Sequence, residues 1–336
     1  MTDHFVFLDF GSFEIYWFGF LVGCAVFIAS LIYCRLRRIQ GEDASEALVT
    51  AILAIPSAFV LARLSYCWFR KASFYGRASE YFSLTYGGYA LHGAIAAILI
   101  VLLIRSRMSK KSIIKMLDAA APALSVAVAI GRFAGRTSGE EGGYEINTAY
   151  ELPFLMWSEA DQAKLLWVGF FEGIFAVIIA AVTFVLFYQK YRLHRAGLRE
   201  GCVTLAFMLT YGLSQAFLES LRGDSLFMIT LGFVRIDQII AIVMAVAAIV
   251  VIIVENYRLK GLSLGSVMRW LICASALTVA VICEFTLNTT YMVLIYACMF
   301  LELTVMWIVA ARIYHESVRI RARENTDSKS RPAMQA

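Results

Sequence analysis

The sequence predicts an all-α, polytopic membrane protein built as a bundle of transmembrane helices. Its 336 residues are 60% hydrophobic and 16% charged, whereas soluble proteins average about 45–50% apolar and about 25% charged residues. The mean hydropathy is +0.72, and the apolar residues form runs along the whole chain. These observations exclude a soluble enzyme and a single membrane anchor that carries a soluble head. We therefore expect any chemistry to lie in or beside the bilayer.

Nine stretches have the roughly 17–25 apolar residues that a helix needs to cross the hydrocarbon core of a membrane. They are residues 14–34, 44–66, 88–105, 116–134, 164–188, 201–219, 236–255, 269–287 and 291–312. Basic residues gather in alternate connecting loops and in the C-terminal tail. The positive-inside rule places these loops in the cytoplasm, so the N-terminus is predicted outside and the C-terminus inside. The same clustering makes the net charge of +5 a topology signal, and no nucleic-acid partner is expected.

The connecting segments suggest a division of the chain into a membrane domain and two C-terminal additions. Residues 1–260 hold the first seven spans, and their polar, Gly-rich loop at about 135–163 is expected to form an outward-facing cap. Residues 261–313 are predicted to form an additional transmembrane hairpin. Residues 314–336 are predicted to be a basic and polar cytoplasmic tail, with a frayed polar end after Arg323.

Ionisable residues inside apolar runs are candidates for function, because a charged side chain at the bilayer centre costs at least about 2.5–3.5 kcal/mol on insertion scales. Arg63, His92, Arg132 and Glu172 are such residues. His92 has glycine and alanine around it, which allows the close approach of a helix or a lipid headgroup; it is either a histidine hydrogen-bonded between helices or a functional one. Arg132 precedes a Gly-rich loop that also carries Arg136 and Glu140. This arrangement suits an anion site at the interface, although interfacial arginines also reach lipid headgroups in proteins without such a site.

A polar stripe is predicted on the sixth span. Tyr211, Gln215, Glu219 and Arg222 are spaced by four, four and three residues, which places all four on one helical face. Such a stripe either joins the helix to its neighbours or lines a cavity, and four polar residues favour a cavity. Because arginine binds phosphate in a bidentate manner, the natural ligand is an anionic phospholipid headgroup that enters from the membrane. No metal and no cofactor are expected, since the cysteines and histidines have no metal-binding spacing.

Five segments, in order, resemble motifs of the prolipoprotein diacylglyceryl transferase family over roughly residues 9–258. They are IYWFGFLVG, LARLSYCWF, YGGYALHGA, GRFAGRTSGE and YGLSQAFLESLR. The resemblance implies a seven-helix transferase core followed by two extra helices, in the inner membrane of a bacterium. It also implies transfer of the diacylglyceryl group of phosphatidylglycerol to the lipobox cysteine thiol of a prolipoprotein, with glycerol phosphate as the leaving group.

The resemblance implies roles for particular residues of this chain. His92, Arg132, Glu140, Glu219 and Arg222 take catalytic positions, with Arg132 holding the phosphate. The base that deprotonates the thiol is left open between His92, Glu140 and Glu219, because a thiol attacks as its thiolate. A further set of residues is expected to bind substrate: Arg63, Arg136, Tyr211, Gln215 and Glu172.

Some motif positions differ from the family pattern and keep alternatives open. Gly135 and Ser138 stand where the family has asparagine, Gln215 where it has arginine, and Phe18 where it has tyrosine. Arg136 or Arg63 is a candidate replacement for the lost cation. The leading hypothesis is an active transferase, and the alternative is a non-catalytic relative that binds anionic phospholipid or lipoproteins. A small-solute transporter is less favoured. The charged residues of this chain gather at the outer ends of the predicted helices, whereas transporter sites lie near the membrane midplane.

Overall fold

The described residues form a bundle of long helices with two small antiparallel sheets. The computed structural model describes residues 6–11, 14–70, 81, 88–138, 142–148, 150–158, 162–223, 226, 235–287 and 291–330. Within these residues, nine helices are long and apolar enough to cross a membrane. They are α1 (Trp17–Ile39), α2 (Ala44–Phe69), α3 (Leu91–Ser109), α4 (Ile113–Ala134), α5 (Val168–Tyr191), α6 (Cys202–Leu218), α7 (Ile236–Lys260), α8 (Leu264–Phe285) and α9 (Met292–Ser330). Each of the nine predicted stretches overlaps one helix, so the predicted all-α membrane bundle is confirmed.

Short strands occupy two places where helix was predicted. β1 (Val6–Asp9) and β2 (Glu14–Tyr16) form a hairpin before α1. β3 (Gly142–Glu145), β4 (Leu155–Ser158) and β5 (Ala163–Trp167) form an antiparallel sheet in the order β3-β5-β4. The prediction of helix from residues 14 and 164 was wrong for β2 and β5, because apolar runs of three to five residues fit a strand as well as a helix.

The last helix is longer than the predicted span. α9 continues past residue 312 to Ser330, although the end of the chain was expected to be frayed. Alanine, arginine and glutamate are good helix formers. The extension is also tied to the bundle: Glu316 bonds Lys260 and Arg269 at 2.5 Å each, and Arg321 pairs with Glu255.

Packing within the bundle divides the helices into two buried clusters. One consists mainly of α1, α3, α4, α5 and α6, with small residues such as Ala119 and Ala123 next to large ones such as Phe187. The second joins α6 and α7 to α8 and α9. The β3–β5 sheet connects α4 to α5, so it marks the end of the bundle where α4 and α6 finish and α3, α5 and α7 begin. We call this end the cap end.

A buried carboxylate fixes the start of α6 at the opposite end. Asp118 of α4 is fully buried and accepts four hydrogen bonds: from the Tyr191 hydroxyl at 2.8 Å, the Gly201 amide at 2.8 Å, and the Thr204 amide and hydroxyl at 2.9 and 2.7 Å. These bonds satisfy amides that the first turn of a helix leaves without a partner. Asp118 thereby sets the position of α6, which carries the polar stripe to the cap end.

Candidate functional site

Charged side chains from three helices meet at the cap end of the bundle. Arg132 lies in the last turn of α4 and Glu172 in the second turn of α5. Gln215 lies on α6, and Glu219 begins the short 3-10 turn that continues this helix to Leu221. Arg222 follows directly. The structure therefore brings together five residues that the sequence analysis selected for catalysis or substrate binding.

Glu172 is the centre of this cluster. One carboxylate oxygen, Oε2, lies 3.2 Å from Nη1 of Arg132 and 3.2 Å from Nη1 of Arg222. The other, Oε1, accepts a hydrogen bond of 2.7 Å from the Gln215 amide. The Glu172 side chain is 1% exposed, whereas the two arginine side chains are 14% and 12% exposed. Glu172 is thus a buried anchor that holds two less buried guanidinium groups side by side.

Glu219 extends the cluster on the α6 side. Its Oε2 atom lies 3.4 Å from the Gln215 amide nitrogen and 3.8 Å from Nε of Arg222. Because Gln215 bonds both carboxylates, its amide holds the acidic side chains in place within the cluster. Tyr211, one turn before Gln215 on α6, is buried and stacks on Phe207 at 5.3 Å. The predicted stripe therefore faces the protein interior, and it is within electrostatic range of Arg132 and Glu172.

A glycine allows α4 and α5 to approach at the cluster. A Cβ atom on Gly173 would lie 2.7 Å from the ring of Phe133, a distance that real Cβ contacts do not reach. Gly173 follows Glu172, and Phe133 follows Arg132. The absence of a side chain at position 173 therefore lets the two helices pack closely enough for Arg132 and Glu172 to form their ion pair.

His92 and Asp237 form the second part of the site. His92 is the second residue of α3, and its Nδ1 atom lies 2.5 Å from Oδ1 of Asp237 in the first turn of α7. The His92 side chain is 10% exposed. When Nδ1–H donates to the carboxylate, Nε2 of the neutral ring becomes an acceptor. In the described part of the chain Nε2 has no hydrogen-bond partner. When His92 is bonded to Asp237 through Nδ1, Nε2 is therefore the ring nitrogen that can accept a proton from a substrate.

The position of His92 depends on a close contact between α2 and α3. A Cβ atom on Gly93 would lie 2.6 Å from the Leu61 carbonyl and 2.5 Å from the Ser65 hydroxyl. The glycine beside His92 thus serves helix packing. Asp237 in turn is within electrostatic range of Arg132 and Arg222, which places the His92 pair in the same region as the Glu172 cluster.

Arg63 and Arg136, the two remaining predicted site residues that the structure describes, contact loops. Arg63 is buried, donates to the carbonyls of Tyr81 and Gly88 at 3.4 and 3.0 Å, and lies 5.9 Å from the ring of Tyr89. Arg136 donates to the Pro153 carbonyl at 3.1 Å and lies 5.1 Å from the Trp167 ring. In these contacts both arginines hold loops at the cap end. Glu140 falls outside the described residues.

The sequence analysis missed Asp237. Its carboxylate is separated from His92 by 145 positions in the chain, and nothing in a single sequence indicates that pairing. The sequence does place an acidic residue, Asp237, in the first turn of a membrane span. Such a residue is a candidate for function in the same way as an acidic residue inside a span.

Chemically, the arrangement combines an anion-binding pair with a base. A guanidinium group has five N–H donors, so Arg132 and Arg222 can hold Glu172 and a phosphate oxygen at the same time. His92 Nε2 can accept a proton. Among the described residues no group of three or more histidine, cysteine or acidic side chains is arranged to hold a metal ion.

Comparison with known proteins identifies the family. A family model described as prolipoprotein diacylglyceryl transferase matches residues 5–254. A phosphatidylglycerol–prolipoprotein diacylglyceryl transferase of Synechococcus elongatus is 29% identical over 270 residues, which cover 78% of this chain and 90% of the relative. The proteins of that name from Listeria innocua and Clostridium kluyveri are 26% and 28% identical; they cover 75% and 71% of this chain and 90% and 91% of their own lengths. This chain therefore belongs to the prolipoprotein diacylglyceryl transferase family.

Proposed function

We propose that this protein transfers the diacylglyceryl group of phosphatidylglycerol to the lipobox cysteine of a prolipoprotein. The observation that carries the proposal is the His92–Asp237 pair in the same region as Arg132 and Arg222, with a histidine Nε2 that has no hydrogen-bond partner among the described residues. Family membership and the printed names of the relatives point to the same two substrates.

The site residues take the following roles in the proposed reaction. His92 Nε2 accepts the proton of the cysteine thiol, because the thiolate is the attacking form. The thiolate sulfur forms a bond to the terminal glyceryl carbon of the diacylglyceryl group, and the bond from this carbon to the phosphate oxygen breaks. Arg132 and Arg222 stabilise the charge on the departing glycerol phosphate. Asp237 orients His92 and stabilises the imidazolium that forms.

An apolar cavity below the site supports a lipid substrate. It is lined by residues of α1, α2, α3 and α4, among them the small residues Ala54 and Ala58 of α2 and Ala123 and Ala127 of α4. Ala127 and Ala123 precede Arg132 by five and nine residues, which places them about 8 and 14 Å deeper along α4. An acyl chain covers that depth below its headgroup, because each leaflet contributes about 15 Å of hydrocarbon.

We assign the protein to the bacterial inner membrane, with the cap end facing outward. The basic loops lie at the opposite end of the bundle, as the positive-inside rule requires of a cytoplasmic side. A secreted prolipoprotein would then meet the site on the outer side. In this proposal residues 1–260 form the transferase domain, residues 261–313 an added hairpin and residues 314–336 a cytoplasmic extension.

Complementation in cells tests the proposal. Expression of this protein in a bacterium depleted of its own diacylglyceryl transferase is expected to restore growth and the mass increase of a reporter prolipoprotein. The His92→Ala variant is expected to restore neither, because it lacks the base. Glu151→Gln, an exposed change in the cap, is the matched control and should behave as wild type. Equal complementation by His92→Ala and wild type would contradict the assigned role of His92.

A non-catalytic relative that binds anionic lipid is the second candidate, and Gln215 favours it. The amide of Gln215 adds no positive charge where the family pattern has arginine, and Glu172 and Glu219 balance Arg132 and Arg222 in the cluster. A protein that reaches the membrane, binds phosphatidylglycerol and fails to complement would support this alternative.

A further inference from the structure

The C-terminal hairpin, formed by α8 and α9, lies beyond the end of the family match at residue 254. Its helices share a buried cluster with the two helices that carry half of the site. The cluster joins all four helices. It contains Leu209 and Leu213 of α6, Ala245, Ala248, Ile249 and Ile252 of α7, Ala276 and Ala280 of α8, and Met299, Leu303 and Met306 of α9. The hairpin is therefore joined to α6 and α7 through continuous apolar packing.

Tyr296 of α9 bonds the 3-10 turn that follows α6. Its hydroxyl donates to the Ser220 carbonyl at 3.0 Å and lies 2.9 Å from the Tyr144 hydroxyl of the cap, from which it can accept. Ser220 is fully buried and stands between Glu219 and Arg222. The Tyr296 ring also packs against Phe217 at 6.2 Å. The backbone that carries Arg222 is thus held from the hairpin side.

Glu284 near the end of α8 bonds the segment that begins α7. Its Oε1 atom lies 2.5 Å from Nη1 of Arg235, and both side chains are less than one-fifth exposed. Arg235 directly precedes α7, two residues before Asp237. A charge-assisted bond at the start of a helix fixes the direction in which its first turn leaves the loop. Glu284 therefore holds the segment that presents Asp237 to His92.

We infer that the α8–α9 hairpin positions the site, with Tyr296 setting Arg222 through Ser220 and Glu284 setting Asp237 through Arg235. This inference rests on the proposed function, since it assigns Arg222 and Asp237 to the reaction. The two contacts act on different parts of the proposed reaction. Tyr296 acts on Arg222, which binds the phosphate, and Glu284 acts on Asp237, which orients the base. Tyr296 and Glu284 are positioning residues, because each acts through another side chain.

Conservative substitutions test the inference. Tyr296→Phe keeps the ring that packs on Phe217 and removes only the hydroxyl, and Glu284→Gln keeps the shape of the side chain. Each is expected to lower kcat/KM for thioether formation about three- to tenfold, which corresponds to the net loss of one hydrogen bond. Tyr291→Phe, just before α9, and Glu302→Gln, on α9, make the same chemical changes at other positions of the hairpin and should leave kcat/KM within twofold of wild type.

Double variants separate positioning from a general loss of stability. If Tyr296 acts through Arg222, Tyr296→Phe should cause no further loss of kcat/KM in an Arg222→Lys background. Glu284→Gln should likewise cause no further loss in an Asp237→Asn background. Losses that multiply in the double variants, or unchanged kcat/KM in the single variants, would overturn the inference.

The same variants distinguish this inference from the proposed function. A wild-type protein that binds phosphatidylglycerol vesicles without forming thioether would refute the proposed function. In that case Tyr296→Phe should still weaken phosphatidylglycerol binding, relative to Tyr291→Phe, because Arg222 contacts the phosphate. Equal binding by the two variants would then overturn the positioning role of Tyr296 separately.

Discussion

Asp237→Asn is expected to lower kcat for thioether formation about 100-fold and to change phosphatidylglycerol binding by less than about twofold. An amide keeps the size of the carboxylate but cannot stabilise the imidazolium that forms when His92 takes the thiol proton. General-base catalysis is worth roughly 100- to 10,000-fold, so the loss should be large although Asp237 does not touch the substrate. Single-turnover transfer to a lipobox peptide measures kcat, and vesicle binding measures affinity.

Asp43→Asn is the control for this prediction. Asp43 is exposed and lies at the opposite end of the bundle, just before α2, so its kcat should equal that of wild type. A kcat for Asp237→Asn within threefold of the control would show that the 2.5 Å contact with His92 is structural. His92 would then act as the base without help from Asp237, or another residue would be the base, with Glu219 the first to test.

Glu172→Gln is expected to lower the free energy of unfolding by about 3 kcal/mol and to lower transfer at least about 100-fold. Removing one charge of a buried ion pair typically costs 3–5 kcal/mol, because the partner charge stays buried. Here one carboxylate oxygen serves two guanidinium groups. Without it, Arg132 and Arg222 repel each other and lose the acceptor that holds them side by side.

The measurement for Glu172→Gln combines thermal unfolding in detergent with the transfer assay. A clearly lower Tm than that of Glu151→Gln, together with slow transfer by the fraction that remains folded, is the expected result. A Tm equal to that of the control would mean that Glu172 does not anchor the cluster. Transfer at the wild-type rate would mean that the spacing of the two arginines does not matter for the reaction.

The bundle could be predicted from the sequence because its signals are local. Each apolar run is long enough to span a membrane as a helix, and such long apolar runs are not typical of soluble proteins. The helical spacing of Gln215, Glu219 and Arg222 likewise predicted that these side chains lie together, and the contacts of Gln215 and Arg222 with Glu219 confirm that they do. The helix and its 3-10 turn end at Leu221, however, so Arg222 itself lies just beyond the helical face. The short strand β5 was missed because a short, mostly apolar run such as AKLLW fits a strand as well as a helix.

The contacts between distant helices could not be predicted. Glu172 was selected from the resemblance as a substrate-binding residue, but its pairing with Arg132 and Arg222 joins three helices and leaves no local pattern. Asp237 was missed for the same reason. Tyr296 and Glu284 act on turns that are distant in sequence, so their positioning role becomes visible only when the ends of α6, α7, α8 and α9 are placed side by side.

Transfer by the purified protein tests the central claim most directly. The protein is placed in phosphatidylglycerol vesicles with a lipobox-cysteine peptide, and the thioether product and released glycerol phosphate are quantified by mass. We expect wild type to form the two products in equal amounts, and His92→Ala and Arg132→Ala to form neither while they remain folded. Wild-type protein that binds phosphatidylglycerol and forms no thioether, or variants that transfer as fast as wild type, would contradict the claim that this site catalyses diacylglyceryl transfer.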